Sequence, residues 1–536
     1  MAPGVSNQKS LTNIRSNDDE KQKTKGDIQM SKKKIGLFFG AGAEIAYGLP
    51  SGGRFALDIF RMDAAQDKKE FKNLVGKIDS RTPYATRWLP DNYNSRAVTI
   101  FGKGQYEQLI ISSLENRRHH IINFLNSFDE KVERIKKNFS HKNINIDEHF
   151  KKLTNKNVGD VIFSHEIKLN DALGKIELFN SRYFSAILQV LESMAQKHSP
   201  WIRDLKNIVR SFIELLIGSV GEEFLHQIND SIFEKKPDSI DIFDDFCGYF
   251  RFDYKRISGF DYILDRRSRE ISSDMKSGKA VVEFSRMMLE ELFIKALDYQ
   301  SLIDSHYRYL FTPKTDWAKF CKIAIFLMTV RRYIMDNRDI TKTKVIEGDS
   351  YYQDIEILQN KADIKAIGTT NYNMFISDIT SIPTTYLNGS VDDYYDPYKN
   401  KIISKEDAEK SGRLCVPFLF TQSGIKPLTS VSMSRRYVEL FDHFSECDVI
   451  GVIGFGFNSD DGHINGLFRE LIEDKNKKVV IFHYTDNLSA KYNNVSAKYD
   501  EKLRIQTNTS LIIKHISKDR KVDGTFWTDV LLNEAN

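Results

Sequence analysis

A pair of glycines directly after an apolar run is the first feature of the chain that could do chemistry. Lys34 to Phe39 leads into Gly40-Ala41-Gly42, with Glu44 close behind and Gly48-Leu49-Pro50 a little further on. Glycines let a backbone approach a pyrophosphate, and a following helix N-terminus attracts negative charge. A tight strand-to-helix turn asks for the same residues, and the sequence leaves both readings open. Gly454-Phe455-Gly456-Phe457-Asn458-Ser459-Asp460-Asp461 is a second such loop, after the apolar run 448–453. Its acids can cap the helix that follows. His463 falls in that helix's first turn. It is a candidate for ligand contact or proton transfer, beside the ordinary structural role of most histidines. Thr370-Asn371-Tyr372-Asn373 follows the run 364–367, and Asn388-Gly389-Ser390 follows 384–387. A carboxamide both donates and accepts, so Asn371 can orient a water or a sugar hydroxyl; asparagine is also a common turn residue.

The elements that must position these residues are strands. The runs at 34–39, 364–367, 384–387, 448–453 and 478–483, with a further candidate at 510–513, are short, β-branched and nearly all apolar. That pattern suits strands of a parallel sheet covered on both faces. In an open parallel sheet, ligands sit beyond the carboxyl ends of the strands. The glycines, threonines and amides named above fall at that edge.

The chain between about 60 and 350 has a different character. Ile121, Phe124, Leu125, Phe128, Val132, Ile135 and Phe139 recur at helical spacing, as do Ile202, Leu205, Ile208, Val209, Phe212, Leu215 and Leu216. The stretches 280–299 and 317–335 are long, apolar-rich and free of proline. These are amphipathic or buried helices, whose interleaved lysines and arginines form solvated faces. The expected organisation is a disordered segment 1–30, a first part of an α/β domain at 31–60, a helical insertion at 61–355, and the remainder of the α/β domain at 356–536.

Composition narrows the function classes. The chain has 536 residues, 41% of them hydrophobic, enough for two or three cores. A net charge of +4 with 28% charged residues gives no global basic field, so nucleic acid is not indicated. No apolar run approaches the length that spans a bilayer, and the N-terminus has no signal-peptide pattern, so no membrane role is expected. Cys247, Cys321, Cys415 and Cys447 include no CxxC pair. No metal site is expected, and a reducing cytoplasm is the natural compartment.

Taken in order, Gly40-Ala41-Gly42, Gly48-Leu49-Pro50, Thr370-Asn371-Tyr372-Asn373, Leu387-Asn388-Gly389-Ser390 and Gly454-Phe455-Gly456 resemble the sirtuin family. The likeness is nearest to the prokaryotic sirtuin-like proteins of antiphage defence, which degrade NAD. It covers roughly residues 33–60 and 360–515. It implies a Rossmann-like parallel sheet of the sirtuin type, interrupted by the helical insertion, with NAD+ as substrate. Gly40, Ala41 and Gly42 would wrap the pyrophosphate, with Glu44, Pro50, Thr370, Tyr372 and Gly389 around the ligand. Asn371 would match the asparagine near the nicotinamide ribose that positions the attacking water. Gly454 and Gly456 would match the loop at the adenosine end, with Phe455, Asn458 and Asp460 also against the cofactor.

Three departures qualify what the resemblance implies. The zinc-binding cysteines of the family are missing, which counts against a protein deacylase; the defence NAD hydrolases commonly lack them too. Glu44 stands where many sirtuins have a serine. Asn388 stands where sirtuins carry a catalytic histidine, and a carboxamide cannot take a proton near neutral pH. His463, Glu44 or Asp460 would have to compensate, or water attacks without a base. The expected function is hydrolysis of NAD+ to ADP-ribose and nicotinamide, in an effector held inactive until a regulatory partner, a phage signal or homo-oligomerisation releases it. The alternative is a sensor or scaffold that binds NAD or ADP-ribose without cleaving it.

Overall fold

The computed structural model describes residues 32–50, 52–114, 116–166, 176–220, 257–265, 271–272, 274–297, 307–419, 430–458, 461–484, 495–506 and 510–536. The segment 1–30, Cys247, Ser459 and Asp460 lie outside the described residues.

Among the described residues, nine strands form the two larger sheets, with a two-stranded ribbon of Lys521–Val522 and Thr525–Phe526 after them: β1 (Lys34–Phe39), β2 (Asp363–Thr369), β3 (Thr384–Tyr386), β4 (Asp393–Asp396), β5 (Lys401–Ser404), β6 (Val416–Pro417), β7 (Val449–Ile453), β8 (Lys478–Tyr484) and β9 (Leu511–Ile516). Six of them form one sheet in the order β3-β2-β1-β7-β8-β9, and every pairing in it is parallel. Counted along the chain this is the order 3-2-1-4-5-6 of a doubly wound nucleotide-binding sheet. The fold is α/β, a Rossmann-like parallel sheet interrupted by a long, mainly helical insertion. The expected strands are all present, and the run at 510–513 is the start of β9.

The apolar runs form strands because both sheet faces are covered. Ile35, Leu37 and Phe39 point to one face, where they share a core with Tyr352, Ile355, Trp527 and Leu531. Phe38 points to the other, into a core with Leu440, Phe444, Phe468 and Leu471. This is the alternation a strand imposes, with apolar residues needed on both sides.

The insertion between β1 and β2 has its own large core. Ile121 to Phe139 is buried at all seven positions of the helical stripe. The stripe runs over two helices, Arg118–Asn126 and Phe128–Ser140, which meet at Ser127. Ile202 to Leu216 lies on one helix, Pro200–Val220. The small antiparallel sheet β5-β4-β6 joins this core as well, through Tyr395, Ile402, Val416 and Phe418. The helix Trp317–Ile346 is 30 residues long. Phe320, Ile323 and Leu327 belong to the insertion's core, whereas Val345 belongs to the core under the sheet. One helix therefore ties the two bodies together.

A buried ion cluster fastens the same junction. Arg61 donates to Glu290 at 2.9 Å and Arg286 donates to it at 2.7 Å, with Arg54 on the other carboxylate oxygen. Arg54 lies on the helix Gly52–Phe60, Arg61 in the turn directly after it, and Glu290 on the helix Ser277–Ala296. Burial alone would push the Glu290 carboxyl up, but the guanidinium groups of Arg61, Arg54 and Arg286 outweigh it and hold the carboxyl below its ordinary value.

Candidate active site

The strand order reverses between β1 and β7, and there the two glycine loops meet. Gly40 N–H donates to the Ile453 carbonyl and Gly42 N–H to the Gly454 carbonyl, both at 2.9 Å. A Cβ on Gly40 would lie 2.6 Å from the Gly454 oxygen. Gly454 itself has φ +70°, and a Cβ there would lie 2.1 Å from the Ala43 nitrogen. Both glycines are thus required by the close approach of one loop to the other.

Beside this contact, at the carboxyl ends of β1 and β2, a cleft opens. Ala41, Glu44, Pro50, Thr370, Asn371 and Asn388 line it. So do Leu49, Phe55, Tyr372 and Asn373. Counting its open mouth, it spans about 780 Å3. The far wall belongs to the insertion: Tyr333, Ile334, Asn337 and Arg338 all come from the helix Trp317–Ile346. Arg338 donates to Asp378 at 2.6 Å, so its charge is paired at the wall.

A hydrogen-bonded chain runs through the floor of the cleft. The short 3-10 turn Ala41–Tyr47 carries Glu44 inward, where it is only 5% exposed. Tyr352 donates its hydroxyl to Glu44 Oε1 at 2.7 Å, and Asn373 Nδ2 donates to Oε2 at 2.6 Å. Asn371 Nδ2 donates to the Tyr352 hydroxyl and to the Gly40 carbonyl, each at 3.2 Å. Its backbone N–H donates to Thr369 Oγ1 at 3.0 Å. Both amide hydrogens of Asn371 are thereby committed, which fixes the plane of its carboxamide. Burial pushes the Glu44 carboxyl up to about 7, although the bonds from Tyr352, Asn373 and Asn371 oppose it. A carboxyl of this kind changes charge near neutral pH.

Asn388 is buried beside Thr370, whose carbonyl accepts from Asn388 Nδ2 at 3.5 Å. Its loop is held tightly. Gly389 has φ +83°, and a Cβ there would lie 2.0 Å from the Phe418 carbonyl oxygen. Four residues on, the Asp393 carboxylate accepts from Ser390 N–H at 2.9 Å and takes a two-pronged ion pair from Arg436 at 2.8 and 2.7 Å.

The other residues singled out in the sequence lie elsewhere. Phe455 is packed edge-on against Phe38 and Phe457. Gly456 and Asn458 are exposed on the loop after β7. His463 lines a separate hollow with Met433, Tyr437 and Leu467, its ring edge-on to Tyr437 at 5.4 Å between centroids. Cys321, Cys415 and Cys447 are buried. Among the described residues no group of three His, Cys, Asp or Glu side chains could hold a metal ion. Nor is any helix among them long and apolar enough to cross a membrane.

Tyr352 buried beneath the cleft, and Phe55 and the helix wall that line it, are the residues that motif reading does not find. Tyr333, Ile334, Asn337 and Arg338 do carry a signal, since positions three and four apart on a helix share a face. Nothing in the sequence says which face meets the sheet.

No protein-family model matches the chain, and no curated protein sequence matches it. Solved structures similar to part of it include two that are related to Sir2 enzymes by their descriptions. One is described as the structural basis for the mechanism and regulation of Sir2 enzymes; it is 14% identical with a TM-score of 0.21, covering 34% of this chain and 68% of that one. The other is a Sir2 histidine-to-alanine variant with a deacetylated p53 peptide and 3′-O-acetyl ADP-ribose; it is 16% identical with a TM-score of 0.20, covering 33% of this chain and 74% of that one. The strand order, rather than these likenesses, defines the fold of the chain.

Proposed function

We propose that the cleft binds NAD+ and hydrolyses it to ADP-ribose and nicotinamide. The observation that carries this reading is the position of Asn371. It sits just past the carboxyl end of β2, in a cleft beside the strand-order reversal, with its amide hydrogens tied down; in this reading its carbonyl oxygen accepts from the attacking water. Nicotinamide leaves a ribose through an oxocarbenium-like state, as in glycoside cleavage. Much of such a barrier is lowered by holding water and sugar in line. Leu49, Phe55 and Ile334 offer an apolar wall for a flat ring.

The long helix gives the insertion a direct route to the cleft. A partner or second copy that shifts the helix Trp317–Ile346 would move Asn337 and Arg338 against the ligand. That is the part of the reading that makes the protein a controlled effector. What supports a role in antiviral defence is the sequence resemblance alone.

Asn388 favours a second reading, in which the cleft binds NAD or ADP-ribose and leaves it intact. Calorimetric titration of NAD+ combined with chromatography of the products separates the two. Hydrolysis predicts binding, release of nicotinamide, and loss of that release in Asn371→Ala. Binding with NAD+ recovered intact supports the sensor.

A further inference from the structure

A sirtuin-like cleft with asparagine at position 388 lacks an obvious proton acceptor. Of the groups that could replace it, His463 lines a different hollow and Asp460 lies outside the described residues. Glu44 lines the cleft itself. Each of its oxygens accepts one bond, from Tyr352 and from Asn373, and an ionised carboxylate has room for further donors. Asn371, the residue placed to hold water, is joined to Glu44 through the Tyr352 hydroxyl.

We propose that Glu44 is the catalytic proton acceptor of the cleft, for an N-ribosyl pyridinium substrate. This rests on the hydrolysis reading above. The oxygen of the water held at Asn371 bonds to the anomeric carbon, and one of its protons passes to the Glu44 carboxylate. The carbon–nitrogen bond breaks, and its electron pair stays on the ring nitrogen, so nicotinamide leaves neutral. Glu44 then returns the proton to solvent. No oxidant or metal is consumed.

The surroundings suit such a step. Facing Glu44 are Tyr47 on its own turn, Tyr352 from the helix Tyr351–Lys361, Tyr386 at the end of β3, and Asn371 and Asn373 after β2. Arg338 lines the same cleft from the long helix. Burial pushes Tyr47 and Tyr386 up to about 12, and Tyr352 well above its ordinary value. The phenols therefore keep their protons across the range in which Glu44 changes charge.

The test is nicotinamide release across pH by the full-length wild type, Glu44→Gln and Tyr352→Phe, with NAD+ affinity measured in parallel. The wild-type rate is expected to climb through a limb near pH 7 as the carboxyl ionises. Glu44→Gln should lose on the order of 100-fold in kcat and the limb with it, while Kd for NAD+ changes less than about threefold. Tyr352→Phe removes a bond that holds the carboxyl down, so its limb should move to higher pH. Wild-type turnover and an unchanged limb in Glu44→Gln would overturn the assignment while leaving hydrolysis standing. If Glu44→Gln does not fold, a limb that stays in place in Tyr352→Phe overturns it instead. If the wild type binds NAD+ but releases no nicotinamide at any pH, the hydrolysis reading fails and takes this one with it.

Discussion

Tyr352 holds Glu44 across 2.7 Å at the floor of a cleft, although 308 residues separate them in the chain. One is on the turn after β1 and the other on the helix that leads into β2. The whole insertion lies between them, so the site is complete only when the insertion has folded and returned the chain to the sheet.

That buried carboxyl makes stability depend on pH. The Glu44 carboxyl is raised from 4.5 to about 7 in the folded protein. Between those values the unfolded chain has lost the proton and the folded one keeps it. Stability therefore falls as pH rises through this window and levels off above it, by on the order of 3 kcal/mol. Urea unfolding of wild type and Glu44→Gln at several pH values checks this; the variant should lack that slope.

Glu290 works in the opposite sense. Its carboxyl is held low, so the stability it contributes is complete above the unfolded value and is lost as pH falls through the folded one. Glu290→Gln leaves three buried or half-buried guanidinium groups without their shared charge, and about 3 kcal/mol of stability should go. Denaturant midpoints read the loss, and the variant should also be less sensitive to acid than the wild type.

Gly454→Ala must fail at the contact between the loops. The left-handed backbone and the 2.1 Å approach to Ala43 leave no room for a methyl group. A loss of roughly 2–5 kcal/mol is expected, from strain and overpacking together. Thermal unfolding measures it.

Arg436→Lys should weaken NAD+ binding without unfolding the protein. The two-pronged pair with Asp393 fixes the loop of Asn388, and lysine supplies one point charge in place of a planar fork. Titration calorimetry should show a loss of roughly 3- to 30-fold in affinity. An unchanged Kd would mean that the loop needs no such anchor.

The sheet was legible because strands buried on both faces read as short apolar runs that end in small residues. Phe38 and Phe39 show why: neighbours in the chain, they enter different cores. The glycine, threonine and amide residues at those strand ends were found for the same reason. His463 shows the limit, since a helix's first turn can face the ligand edge or the next helix, and here it faces Tyr437. Tyr352 and the wall from Tyr333 to Arg338 were illegible because long-range packing alone decides which helix face closes a cleft. The stripe from Ile121 to Phe139 kept its helical period across the break at Ser127, so periodicity hid the join.

The most direct test of the central claim is a time course of NAD+ incubated with the purified full-length protein, following NAD+, nicotinamide and ADP-ribose by chromatography. The account predicts that nicotinamide and ADP-ribose accumulate in equal amounts, and that Asn371→Ala abolishes both. NAD+ that stays intact while demonstrably bound in the cleft would contradict it.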